Sequence, residues 1–280
     1  MRRYRKPHRI KRKKSIIKNR FFLLGFLIFV FLVFAIYFLF FSDFFQIEKI
    51  TVFGNKKILK EEIIKIAENE LKKKKIFFPA ENIFLANLGG IENDILSNFP
   101  QIAEAKISRS LPRTLIFTIL ERKAVAKFCK DYKLFTKDET ESSYQKCFPL
   151  DKEGIIFEEI GGNNLSLPKI KNPNSKDELE LGQRIIETDL LFGILDIFSD
   201  LENLNIQTKE FLIVSEERTN VEALDNWEIY FNPKKDLGWQ LTKLKAVLEE
   251  DIPLEKRKDL EYIELRFGNS APFKYRQAKE

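Results

Sequence analysis

Residues 21–41, FFLLGFLIFVFLVFAIYFLFF, contain no charge, no amide and no proline, and this run limits what the chain can become more than any other feature. As a helix rising ~1.5 Å per residue it reaches about 31 Å, which matches the hydrocarbon thickness of a bilayer. Eighteen of its twenty-one residues are Phe, Leu, Ile or Val. Each favours mid-membrane by roughly 0.3–0.6 kcal/mol, so insertion is favoured by about 5–11 kcal/mol, which easily outweighs Gly25 and Tyr37. A cleaved signal peptide has a shorter apolar region and a small-residue cleavage site; here the run continues into Ser42-Asp43-Phe44-Phe45. The stretch therefore predicts an uncleaved transmembrane helix at 21–41.

Charge orients it. Residues 1–20 hold eleven Lys or Arg and no acid; the whole chain has 48 basic and 42 acidic side chains, so the remainder carries 37 against 42, a net −5. Basic residues flanking a first span are retained in the cytoplasm, which predicts a single-pass type II protein of the cell membrane with its bulk outside the cytoplasm. The tail reads as an orienting segment attracted to anionic lipid rather than a nucleic-acid site. The overall charge of +6 thus says nothing of the outer part. Cys129 and Cys147 are the only cysteines; they fall on the side read as oxidising, so a disulfide is permitted, with two unpaired thiols as the alternative. Closing a loop of that size contributes roughly 3 kcal/mol in the chain-entropy model.

Beyond the anchor, residues 47–53 are β-rich, Gly54-Asn55 turns the chain, and Ile63, Ile64, Ala67 and Leu71 recur at helical spacing. The lysines at 72–75 read as a solvated helix end, with contact to an anionic wall polymer as the other reading. Ile91, Ile95, Leu96 and Phe99 mark a second helix stopped by Pro100, and residues 102–108 and 114–120 read as two strands around a reversal. The order β-α-α-β-β lets two helices cover one face of a sheet in about 75 residues.

The stretches FQIEKITVFGN and FPQIAEAKISRSLPRTLIFTILERKAVA resemble the POTRA domain of the FtsQ/DivIB cell-division proteins, with Gly54-Asn55 ending the first strand and Glu121-Arg122 the last. Lys123 stands where that family commonly has proline. The resemblance continues through Leu150-Asp151-Lys152-Glu153-Gly154, Leu167-Pro168, Leu237-Gly238 before a helix carrying Lys243 or Lys245, and Glu264-Leu265-Arg266. Between Phe128 and Phe148 the segment reads as an ornamented hairpin. Residues 190–201 form a broad apolar helix face, and 211–214 and 227–231 read as strands. The expected fold class is α+β: a basic tail (1–20), one transmembrane helix (21–41), a POTRA domain (44–122), a mixed, mainly antiparallel β domain with helices (123–276), and a short tail (277–280).

The single histidine, His8, lies in the tail, and beyond it no nucleophile–base set, metal cluster or glycine-rich phosphate loop is recognisable. The reading is therefore non-catalytic, with no cofactor and no metal. Strand addition needs only a free sheet edge, and Pro272, followed by little further chain, places one near the C-terminus. The resemblance implies that this last strand takes on a strand of an FtsB-like partner, with an FtsL-like protein alongside, at the division septum. By position after Arg266 it nominates Phe267, Asn269, Ser270, Ala271, Phe273 and Tyr275, with Phe273 and Tyr275 as anchors. The competing reading is that Phe267, Phe273 and Tyr275 complete the core. The alternative function is a membrane-anchored POTRA protein of a transport or secretion apparatus.

Overall fold

The computed structural model describes residues 20–72, 81–135, 141–160, 166–175 and 178–277. Most of the basic tail, most of the 72–75 lysine run and the last three residues lie outside them. Arg20–Phe41 forms α1, 22 residues long with none of its residues buried, as a lipid-facing helix requires. A single 3₁₀ turn, Asp43–Phe45, follows, with the Ser42 hydroxyl accepting from Phe44 N at 3.2 Å.

The next elements are β1 (Lys49–Phe53), α2 (Lys60–Lys72), α3 (Leu88–Asn98), β2 (Ile102–Ser110) and β3 (Thr114–Glu121). The sheet order is β1-β3-β2, with β1 parallel to β3 from Lys49 opposite Thr114 to Phe53 opposite Thr118. Fully buried Ile63, Ala67, Ile91, Ile95, Leu115 and Phe117 make its core. Leu96, read as part of the apolar face of α3, is 36% exposed. Gly54 is required at the turn: its φ is +87°, and a Cβ there would collide with the Ile119 carbonyl oxygen.

The β domain builds an eight-stranded sheet in the order β11-β10-β9-β8-β7-β6-β4-β5. Its strands are β4 (Ala126–Phe135), β5 (Glu141–Leu150), β6 (Lys169–Lys171), β7 (Thr208–Ser215), β8 (Arg218–Ala223), β9 (Glu228–Phe231), β10 (Leu260–Glu264) and β11 (Phe273–Tyr275). Four adjacent pairs are antiparallel and three, β10–β9, β7–β6 and β6–β4, are parallel. Two helices, α4 (Thr188–Asn203) and α5 (Leu237–Glu250), bury Leu191, Ile194, Ile197, Leu201, Leu244 and Val247 in the same core as Phe128, Phe211, Ile229, Phe231 and Ile263. The architecture is α+β: an apolar N-terminal helix, a POTRA-type unit and a β-rich region. By backbone contacts the chain divides into Met1–Ile95 with Ala105–Ile119, and Leu96–Glu104 with Leu120–Glu280.

Within the second unit, residues quoted from separate motifs converge. Arg122 pairs with Asp151, the side chains being 11% and 5% exposed, and donates from Nε to the Pro100 carbonyl at 3.1 Å. Asp151 Oδ1 accepts the backbone N–H of Glu153 and Ile155, each at 2.9 Å. Gly154 completes the turn at φ +74°, where a Cβ would strike the Ile186 carbonyl oxygen. A charge pair this dry is sustained by the further hydrogen bonds to the Pro100 carbonyl and from the 153 and 155 amides.

Cys129 and Cys147 lie directly opposite each other on β4 and β5 and are joined by a disulfide, S–S 2.05 Å. The two strands pair over ten residues each, from Ala126 opposite Leu150 to Phe135 opposite Glu141, so what reads as an ornament is a continuous ribbon. Non-reducing peptide mass mapping of protein isolated from membranes should recover the 129 and 147 peptides as one species; alkylation of both thiols without reductant would contradict it.

Candidate partner-binding edge

Among the described residues β11 is the outermost strand on its side of the large sheet and pairs only with β10, Ile263 opposite Phe273 and Tyr262 opposite Lys274, with a bulge at Leu260/Tyr262. In an antiparallel strand successive residues direct their backbone groups to alternate sides. The Pro272 carbonyl accepts from Glu264 N at 2.8 Å, and Arg276 N donates to the Asp259 carbonyl at 2.9 Å. Residues 272, 274 and 276 therefore face β10, while the N–H and C=O of Phe273 and Tyr275 point away from the sheet. Pro272 lacks a donor only on the inward side, so it leaves the outer edge uninterrupted, whereas its presence in the sequence suggests a restricted ladder.

The side chains alternate the other way. Ala271, Phe273 and Tyr275 are half-buried against the core, and the Phe273 and Tyr275 rings meet edge-on at 5.5 Å. Pro272 and Lys274 are exposed, with Lys274 paired to Glu261 at 2.7 Å. Asn269 and Ser270 are exposed in the loop before the strand, as is Phe267 at 60%. The nominated residues thus form two groups: a loop group open to solvent and a strand group that offers backbone outward and side chain inward.

Beside Phe267 lies a cluster that the sequence reading did not single out. The Arg266 guanidinium sits 4.8 Å from the Phe267 ring and 5.8 Å from that of Tyr230; Arg218 covers Tyr230 at 4.6 Å, and Tyr230 stacks on Tyr262 at 5.2 Å. Arg266 binds Glu264 with two of its guanidinium nitrogens, Nε to Oε1 at 2.9 Å and Nη2 to Oε2 at 2.6 Å. Burial works to raise the Glu264 pKa, but hydrogen bonds and charge from Arg266 prevail and hold it below the usual range. Burial and the adjacent Glu228 push the Tyr230 hydroxyl up to about 12. Alternation along residues 227–231 already puts Tyr230 on the face opposite Ile229; Arg218 was hidden because nothing in its short polar strand announces β8.

Behind the loop, Lys243 of α5 is buried and its ammonium donates to four carbonyls, those of Leu265 at 2.7 Å, Phe267 at 3.3 Å, Gly268 at 3.2 Å and Ser270 at 3.3 Å. Burial lowers its pKa, opposed by Glu264 and aided by Lys235. Of the two lysines the motif allowed, Lys243 is therefore the one that acts on the loop; Lys245 is 61% exposed and lies 4.0 Å from Glu249. One cation fixes the peptide planes through which the chain passes from β10 to β11.

A family model for the FtsQ-type POTRA domain matches residues 45–122. Over 237 residues, 82% of this chain and 80% of the relative, the sequence is 28% identical to a cell division protein DivIB of Clostridium tetani. It is also 28% identical over 160 residues to a cell division protein FtsQ of Syntrophotalea carbinolica, covering 56% of this chain and 49% of that protein. The chain carries an FtsQ-type POTRA domain and is similar to the FtsQ/DivIB cell division proteins.

That similarity supports a role in the division machinery. Both relatives are named for cell division and no enzyme family is indicated. The matched segment begins at Phe45, the last residue of the 3₁₀ turn that follows α1, and ends at Arg122, the residue paired with Asp151.

Proposed function

We propose that this FtsQ/DivIB-like protein is a non-catalytic, single-pass scaffold of the septum that binds FtsB-like and FtsL-like bitopic proteins, the FtsB-like chain adding a strand along β11. The carrying observation is the outward direction of the Phe273 and Tyr275 backbone groups on a terminal strand, a row of donors and acceptors that another strand can pair with. Phe267, Asn269 and Ser270 then meet the incoming chain where it enters, while Ala271, Phe273 and Tyr275 support the edge from the core side. The segments 44–122 and 123–276 serve as its POTRA and β domains.

The N-terminus is cytoplasmic in this reading and the two domains lie outside, in keeping with eleven basic residues ahead of the span. The facing positions of Cys129 and Cys147 support the same orientation, because an oxidising compartment preserves such a pair. A reporter that works only outside the cytoplasm, fused after Glu280, should be active, and activity of a cytoplasm-only reporter at the same place would reverse the topology. The partner reading is tested by co-purification of the full chain in nanodiscs with FtsB-like and FtsL-like ectodomains of the same organism. Retention of neither would remove it.

A further inference from the structure

The exit of α1 from the membrane is held by a residue some forty positions later. The last carbonyls of a helix have no partner within it and must find one elsewhere. Asn82, 1% exposed, donates from Nδ2 to the carbonyls of Leu39 at 3.0 Å and Phe40 at 3.2 Å, while its Oδ1 accepts Phe84 N at 2.9 Å. Backbone bonds continue the seam on both sides: Ile47 N to the Glu81 carbonyl and Ile83 N to the Phe45 carbonyl, both at 2.9 Å. The Phe45 ring bridges the two, 6.0 Å from Phe38 of α1 and 5.1 Å from Phe84. The chain thus leaves α1 through a bonded seam rather than a free linker.

The same pole gathers exposed apolar side chains. Phe44 is 48% exposed, Phe84 37% and Leu111 57%. Leu111 belongs there because Arg113, two residues on in the β2–β3 turn, accepts Glu48 N and Lys49 N at its carbonyl and donates from Nε to the Phe44 carbonyl at 3.2 Å. Arg109 ties in the 82–86 segment, donating to the Ile83 carbonyl at 2.6 Å and the Ala86 carbonyl at 3.0 Å. The Arg113 guanidinium is 5.5 Å from the Phe44 ring and is paired with Glu48, so its charge is compensated and the pole is chiefly aromatic and aliphatic.

We propose that Asn82 is a latch between the membrane helix and the first domain, and that the pole it fixes, carrying Phe44, Phe84 and Leu111, is seated in the interfacial layer of the leaflet from which α1 emerges. The ligand is the glycerophospholipid surface itself. Aromatic rings are favoured at that depth, where an apolar body meets a wet boundary. Compensation of Arg113 by Glu48 makes the contact independent of lipid charge. The inference rests on the reading of α1 as a membrane span and is separate from the partner edge.

The test uses the full chain in phosphatidylcholine nanodiscs, unreduced so that the native cysteines stay paired, with a nitroxide on Phe34→Cys, Phe84→Cys, Leu111→Cys or Leu59→Cys. Leu59, at 61% exposed, is an equally apolar control just beyond the far end of β1. Oxygen accessibility should be high at 34, intermediate at 84 and 111, and that of an aqueous site at 59. If 34 is deep but 84 and 111 match 59, the surface contact is overturned while the span stands; if 34 is aqueous, the span itself fails. Shielding at 84 that needs anionic lipid would also overturn the apolar contact. For the latch, Phe34→Cys with Leu59→Cys should give one narrow distance distribution by pulsed EPR, and a broad one overturns it without any change at Asn82. Asn82→Ala should widen that distribution about twofold through local release of the seam, and an unchanged width in the folded variant would deny Asn82 its role.

Discussion

Tyr275→Pro should cut the affinity for an FtsB-like ectodomain by at least about 30-fold, near 2 kcal/mol, because it removes an outward donor and obstructs the incoming backbone. The Tyr275 N–H lies on the side away from β10, as set by the inward Pro272 carbonyl and Arg276 N–H, so the native ladder loses nothing. Lys274→Pro, one residue earlier, removes an inward donor and should instead lower the melting temperature of the domain. Tyr275→Phe keeps the ring against Phe273 and should bind within about threefold of wild type. Glutamate at Phe273 or Tyr275 is a poorer probe, since both side chains pack against the core and a buried carboxylate disturbs the fold as well as the edge. Isothermal titration with thermal unfolding on each variant separates these outcomes; full affinity in Tyr275→Pro would move the interface off β11.

Lys243→Met should destabilise the protein by about 2–4 kcal/mol, a charged hydrogen-bonding group being lost and several carbonyls left without a donor. Calorimetry should show a melting temperature lower by about 5–12 °C for a region of this size. The same change frees the 265–270 segment that delivers the chain to β11, so partner affinity should fall more than about tenfold even in the folded fraction. Lys245→Met serves as control: with its exposed ion pair it should alter stability by no more than about 0.5 kcal/mol. Equal behaviour of the two variants would contradict the assignment.

Much of the fold was legible because it is carried by periodicity. The spacing of Ile63, Ala67 and Leu71 marked α2, which runs over Lys60–Lys72, and alternation marked β2 and β3 within two residues of their ends. Signals that depend on distant pairing were not legible. β8 has no apolar alternation on its outer face, so Arg218 could not be brought to Tyr230 before the register of β8 and β9 was known. Asn82 looks like any loop asparagine in sequence; its partners are the carbonyls of a helix that ended forty residues earlier. At the edge, position after Arg266 nominated Phe273 and Tyr275, but the direction of their backbones follows from two hydrogen bonds that no composition reveals.

The ring of carbonyls around Lys243 can also be described in the language of ion coordination. Four oxygens converging on a single positive centre resemble the first shell of a dissolved alkali ion, except that here the ion is tied to α5 by its own carbon chain. A free cation in such a cage exchanges with the medium, and its occupancy falls when the salt around it is diluted. A tethered one does not leave. The loop leading to β11 should therefore keep its shape from low to high ionic strength, whereas the exposed pair of Lys274 with Glu261 is screened over the same range.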